Sequence, residues 1–406
     1  MIWKAWRQET IPILGMVLAW VGLFSGHLTI LIAGLFFWGL AFLSSYLARR
    51  TLESISVSTR LGEQYAEIGE TVPTEMVVQN PAPWPILDMQ WKVELPQAVD
   101  PHGPGTILLT PGSARQTLAG TVWAAGRQRV RVQYGLIGHE RGRWNIGPAS
   151  LTFRDPLSWN ELVREERRQY HLTIWPRRYG LPSAFWSQNP ESGTIRGNPW
   201  DPPDPFRIIG TRPYHPGDPV RQIAPHASAR MGRLMVKQLE PMSDRSVEVL
   251  LHPKTTEAHW QGIDRDLLEE TISVAATVVE ASVNRGLVTG LSSTGAISGH
   301  IRGYTLAAER RAHAGELLTA LAWTQPSGTM DDDLPHVLSR LERRLADRAT
   351  LVFVSPYWPQ TLTEHLHRHV LRGLHVIYLA PGDRKRSLPP WLKDVWYFSH
   401  EEWSRA

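Results

Sequence analysis

A chain of 406 residues with 43 basic and 39 acidic side chains has a net charge of only +4, so it lacks the dense basic face of a nucleic-acid binder. It has no cysteine, which excludes disulfides, thiol catalysis and thiolate metal sites. With 42 % hydrophobic and 20 % charged residues it can bury real cores, and its length suggests two to three domains of roughly 150 residues each.

The first fifty residues do not read as soluble. Residues 11–24 and 28–43 hold no charge, and Ser25-Gly26-His27 between them is a turn-forming triplet. A span needs roughly 20 apolar residues. The 37 residues from Ile11 to Leu47 suffice for two short spans. Trp3, Trp6, Trp20 and Trp38 sit where interfacial anchors belong, and basic residues flank both ends: Lys4 and Arg7 before, Arg49 and Arg50 after. A hairpin puts both flanks on one side, which the positive-inside rule makes cytoplasmic. A single span or a cleaved signal peptide are the alternatives. The stretch is too long for a signal core, and no small-residue cleavage site follows it cleanly. The expectation is a multi-pass protein of the cell membrane, with the bilayer as a partner and both termini and residues 51–406 in the cytoplasm.

Four segments are expected: a two-helix hairpin (1–50), a β-sandwich (51–165), a linking region (166–245) and an α/β doubly wound domain (246–406). Alternating runs at Thr74–Val78, Met89–Val93 and Arg129–Gln133, punctuated by Pro, Gly and Asn, read as strands of the sandwich. Residues 181–211 are rich in Pro and Gly and read as irregular. Ser246–Leu251 is a short apolar run. Leu268, Ile272, Ala275, Val279 and Val283 then mark a helix that Asp264 caps and Gly286 stops. A strand over Gly286–Leu291, a helix over about Thr305–Trp323, and another with Leu334, Leu338, Leu341 and Leu345 on one face come next. Thr350–Val354 and His375–Leu379 are two further strands, so the sheet is mostly parallel.

The candidate site lies at residues 211–240. His215-Pro216-Gly217-Asp218 has Pro and Gly at the centre of a type II turn, and Asp218 stands near Arg212, Arg221 and Arg230 in sequence. A carboxylate among guanidiniums makes charge-assisted bonds and has a lowered pKa. Such a group is an ion-pair knot, a binding site for a partner or an anion, or a catalytic site. His365 and His369 share a helix face but are only two ligands, Asp331-Asp332-Asp333 meets a helix N-terminus, and Arg384-Lys385-Arg386 reads as solvated charge or lipid contact. Catalytic and cofactor-binding residues are expected to be none.

Together these features resemble the bacterial domain-of-unknown-function family 58 (DUF58). Its block R-x-Y-x-x-G-D-x-x-R-x-I is matched by Arg212, Tyr214, Gly217, Asp218, Arg221 and Ile223. Its S-A-R-x-G-x-L is matched by Ser228, Ala229, Arg230, Gly232 and Leu234. Arg141-Gly142-Arg143-Trp144, Gly147-Pro148 and Arg154-Asp155-Pro156 are similar to the family's upstream stretch. The resemblance implies a von Willebrand factor A-like (vWA-like) C-terminal domain of Rossmann type. It also implies pairing with MoxR-type AAA+ ATPases, often beside membrane-bound transglutaminase-like proteins. Two departures stand out. The family's acidic-Trp-basic triplet after the isoleucine is Ala224-Pro225-His226 here. The metal-binding D-x-S-x-S of vWA domains is replaced by His252, Lys254 and Thr256, with Ser355-Pro356 after the later strand, so no metal site is expected. A non-catalytic membrane scaffold is the expected function, and an anion- or phosphoester-handling hydrolase using Arg212, His215 and Arg221 is the alternative.

Overall fold

The computed structural model describes residues 2–154, 161–166, 168–187, 203–241, 246–256, 262–297, 301–308, 314–327, 330–342, 349–371, 374–382 and 388–398. The chain divides into two compact units, Met1–Trp175 and Pro176–Ala406.

The first unit opens with α1 (Ile2–Ser25) and α2 (Leu28–Ser54), joined across Gly26 at φ 70°. Leu28–Thr51 is long and apolar enough to cross a bilayer, and Ile13–Ser25 is a shorter apolar stretch. The helices meet at small residues. A Cβ on Gly22 would lie 2.3 Å from the Leu31 nitrogen, and one on Gly34 would lie 2.3 Å from that of Ala19. Backbones this close are how helices associate in lipid, where apolar side chains gain nothing by facing inward. Phe24, Phe36 and Phe42 point outward instead.

The next strands are β1 (Ser56–Leu61), β2 (Tyr65–Glu67), β3 (Thr71–Gln79), β4 (Ile86–Pro96), β5 (Val99–His102) and β6 (Thr106–Leu109). Beyond them come β7 (Arg115–Ala124), β8 (Arg129–Gly138), β9 (Gly142–Ile146), β10 (Ala149–Arg154), β11 (Glu161–Glu166) and β12 (Tyr170–Trp175). One sheet runs β1-β3-β8-β5, a second β11-β10-β4-β7-β6 and a third β2-β12-β9. Period-two alternation decides which face is buried: on β3, Val72, Thr74, Met76 and Val78 turn inward. They share one core with Met89, Trp91 and Val93 of β4 and Leu151 and Phe153 of β10, and Trp91 stacks on Tyr134 at 6.1 Å. Burial raises the Tyr134 hydroxyl pKa far above its usual range, with the Glu166 charge adding to it. The edge strand β6 is exposed along its whole length.

The second unit contains α3 (Ser183–Ser187), β13 (Pro203–Pro213), α4 (Pro225–Met231) and β14 (Met235–Pro241), the last three forming an antiparallel ribbon with one helix. The α/β sheet comes after it: β15 (Ser246–Leu251), α5 (Arg265–Asn284), β16 (Val288–Ile297), β17 (Ile301–Ala308), α6 (Ala314–Trp323), β18 (Thr324–Gln325), α7 (Met330–Glu342), β19 (Thr350–Val354), α8 (Gln360–Leu371), β20 (His375–Pro381) and β21 (Asp394–Phe398). Its order is β17-β16-β15-β19-β20-β21, with β18 on β16. The strands β15, β16, β19, β20 and β21 are parallel, while β17 and β18 are antiparallel. Asp264 caps α5 by accepting from the Leu267 amide at 3.2 Å, and Gly286 follows the helix at φ 78°.

Three expectations are corrected. The helix expected from Thr305 begins only at Ala314, because Ile301–Ala308 is a strand. It closes the open edge of β16, with Ser292 opposite Thr305. The segment expected to be irregular includes β13, whose ladder with β14 breaks at two register shifts around Ile208. Asp331–Asp333 fall within the first turn of α7 rather than before it. Leu345, Asp155, Pro156 and Arg384–Arg386 lie outside the described residues.

Candidate functional site

The ribbon β13–β14 brings the block of residues 212–235 into one small structure. Asp218 N–H donates to the His215 carbonyl at 3.0 Å, and Gly217 between them has φ 110°, the left-handed position a type II turn needs. That turn folds Asp218 back on Arg212. Both terminal guanidinium nitrogens donate to the carboxylate at 2.7 Å, one to each oxygen. The His215 amide adds a third bond at 2.9 Å. Arg212 and this amide hold the Asp218 carboxyl at a pKa of about 2, and the pairing raises that of Arg212.

The second half is braced by Ser228. Its hydroxyl donates to the Ala224 carbonyl at 2.8 Å and accepts the Met235 amide at 2.9 Å. Ala224 N–H donates to the Met235 carbonyl, Tyr214 N–H to the Leu234 carbonyl, and Ile223 pairs with Val236. Pro225 opens α4, where its missing N–H costs nothing, and Gly232 ends it at φ 64°. The substituted triplet Ala224-Pro225-His226 is therefore a helix start, with Ala224 buried.

Of the residues picked out in sequence, Arg212, Gly217 and Asp218 form one knot, and Tyr214 and Ser228 tie it to β14. Arg221 and Arg230 do not join it. Both are exposed and form no ion pair among the described residues. The short 3-10 turn over Val220–Gln222 and the outer side of α4 turn them to solvent, together with Val220 (77 % exposed), Met231 (58 %) and Leu234 (54 %).

At the end of β15, His252 is fully buried, with Nδ1 2.8 Å from the Thr294 hydroxyl, and Lys254 is half-buried. Thr256 donates to the Gly262 carbonyl, and the Ser355 hydroxyl accepts the Tyr357 amide. No group of three metal-ligating side chains suited to an ion occurs among the described residues. His365 and His369 do share a face of α8, and both approach Glu342 of α7, at 3.7 and 3.3 Å. Sequence reasoning missed Glu342, which tertiary packing alone brings there. It also missed an open cleft of about 700 Å³ on the outer face of the β1-β3-β8-β5 sheet, lined by Arg60, Glu75, His102 and Gln133. The only sequence signal was their place on the exposed side of an alternating pattern.

These features define a class: a chain with an N-terminal apolar helix pair, layered sheets, and an α/β sheet preceded by an arginine–aspartate-braced block. Residues 210–390 match the model of the family described as "Protein of unknown function DUF58". The chain is similar to an uncharacterized protein, YeaD, of Bacillus subtilis, at 21 % identity over 249 residues. That match spans 61 % of this chain and 58 % of YeaD. Among solved structures, the CARDB domain of the PF1109 protein from Pyrococcus furiosus aligns at 9 % identity, covering 30 % of this chain and 87 % of that one, with a TM-score of 0.20. The GAE domain of GGA2p from Saccharomyces cerevisiae aligns at 7 %, covering 29 % and 88 %, with a TM-score of 0.21. At such scores neither bears on function.

Proposed function

We propose that this chain is a membrane-tethered, non-catalytic scaffold whose block at residues 212–235 captures a partner. The α1–α2 pair crosses the cytoplasmic membrane as a hairpin, leaving both termini and the rest of the chain in the cytoplasm. The α/β sheet is a vWA-like domain that works without a metal. On the strength of the family resemblance, the partner is a MoxR-type AAA+ ATPase.

The observation that carries this reading is the division of labour inside the block. Arg212, Asp218 and Ser228 spend their polar atoms on bracing, while Val220, Met231, Leu234, Arg221 and Arg230 face solvent. A rigid platform with exposed apolar and cationic side chains suits a protein contact better than turnover. Arg212 is also engaged at both terminal nitrogens, which argues against its use on a phosphoester.

The test is affinity capture from gently solubilised native membranes, with Asp218→Ala and Met231→Asp beside the wild type. Recovery of an AAA+ ATPase that falls with Met231→Asp, an exposed site whose change spares the fold, supports the proposal. Capture unchanged in both variants would sink the platform, and capture of no ATPase would sink the partner.

A further inference from the structure

The end of the β region next to α2 is built as one piece. Thr51 closes the apolar stretch of α2, and its hydroxyl accepts the Trp84 indole N–H at 2.7 Å. Asn80, fully buried, donates to the Trp84 and Ala125 carbonyls at 3.0 Å each and accepts the Ala82 amide. The Arg127 amide donates to the Ala82 carbonyl, and a Cβ on Gly126 would lie 2.0 Å from the Pro83 oxygen. The loops at 80–86 and 124–129 are therefore locked to each other and to the last turn of α2.

What this end shows to solvent is unusual for a soluble surface. Trp123 is 62 % exposed beside Ala124, Arg127 is exposed in the adjoining turn, and Arg129, exposed at the start of β8 in the facing sheet, donates to the Gln79 side-chain oxygen at 3.2 Å. Arg49 and Arg50 directly precede Thr51 on α2, with Arg50 held over the Tyr46 ring. Glu53 and Asp88 are exposed acids here, and the half-buried Glu161 opens β11 at the same end of the sheet, so four guanidiniums stand against three carboxylates. An amphipathic indole and arginines at the end of the sandwich where an apolar helix ends match the headgroup layer of a bilayer.

We propose that this end of the β region seats on the membrane, with Trp123 in the interfacial layer and Arg127 and Arg129 on anionic lipid headgroups. The proposal rests on the membrane-anchor reading of α1–α2. It makes the β region a footing pressed against the lipid rather than a freely hanging spacer.

The absence of cysteine gives a direct test, since any cysteine introduced is the only one in the chain. Nitroxide labels at Phe36→Cys, Trp123→Cys and Thr110→Cys are read for collision with oxygen and with a water-soluble nickel complex. The full chain is held in nanodiscs of phosphatidylcholine with phosphatidylglycerol. Thr110 adjoins the far end of β7, level with Arg115 and so about 26 Å from Trp123 at about 3.3 Å per residue. The expected result is hydrocarbon depth at 36, interfacial depth at 123 and water at 110. Adding Arg127→Asn, which keeps a residue tolerant of the φ of 56° found there, and Arg129→Gln should move the label at 123 toward water. A label at 123 as water-exposed as that at 110, with 36 in hydrocarbon, overturns the seating and leaves the anchor standing. A label at 36 in water overturns both. An interfacial label at 123 that ignores the arginine changes overturns the headgroup contact.

Discussion

The helix pair and the α/β sheet draw on the same aliphatic and aromatic residues and place them on opposite sides. In α1 and α2 the large side chains face out and glycines lie at the seam. In β15, β19 and β20 nearly every side chain is buried. The sheet gains from removing apolar surface from water, at about 25 cal/mol per Å². Inserted in a membrane as proposed, the helix pair would gain only from close contact, because its outward residues would have no reason to leave lipid. Reading which solvent an element expects therefore requires its small residues as well as its large ones.

Breaking each side should cost differently. The largest effect is expected from Phe353→Ala, which removes a ring packed on Tyr378 and Trp358 and should lower stability by about 3–5 kcal/mol in a denaturant titration followed by circular dichroism. Gly34→Leu should push the helices apart at a cost of about 1–3 kcal/mol, read as a lower melting point in mild detergent. If it changes nothing, the seam is not where the helices hold together. Trp84→Phe keeps an aromatic ring but loses the indole N–H and its bond to Thr51, which should cost about 1 kcal/mol by the same melt.

The smallest expected effect is a pH dependence. Asp218 titrates lower in the folded chain, at about 2, than in the unfolded one, so its contribution is fully present above its unfolded pKa of about 3.9. It is lost as pH falls through that window toward the folded value. Because the pair is partly exposed, the slope should be shallow, and Asp218→Asn should flatten it in an acid titration of stability.

Much of this organisation was legible in the sequence. Uncharged runs around Ser25-Gly26-His27 reveal the helix pair, and alternation reveals β3, β4 and β8. The strand Ile301–Ala308 escaped because its pairing with β16, a long-range ladder, decided its state, while the helical pattern of the neighbouring Ala314–Trp323 masked it. Prolines and a glycine disguised β13, which belongs to a small ribbon tolerant of both. At the site, a Pro-Gly turn shortly after Arg212 made its pairing with Asp218 readable. That Arg221 and Arg230 turn away depends on the 3-10 turn over Val220–Gln222 and on the direction in which α4 leaves the ribbon, which no spacing encodes.

The bare edge at β6 carries a consequence for handling the protein. Thr106–Leu109 holds no charge, exposes Ile107, Leu108 and Leu109, and among the described residues ends its sheet with no strand on its outer side. Natural sheets usually blunt such a strand with lysine or proline, and here Pro111 arrives two residues too late. Once the protein is concentrated in detergent, this is the strip where molecules would zip together, and Leu108→Lys is the substitution to try when a preparation turns cloudy.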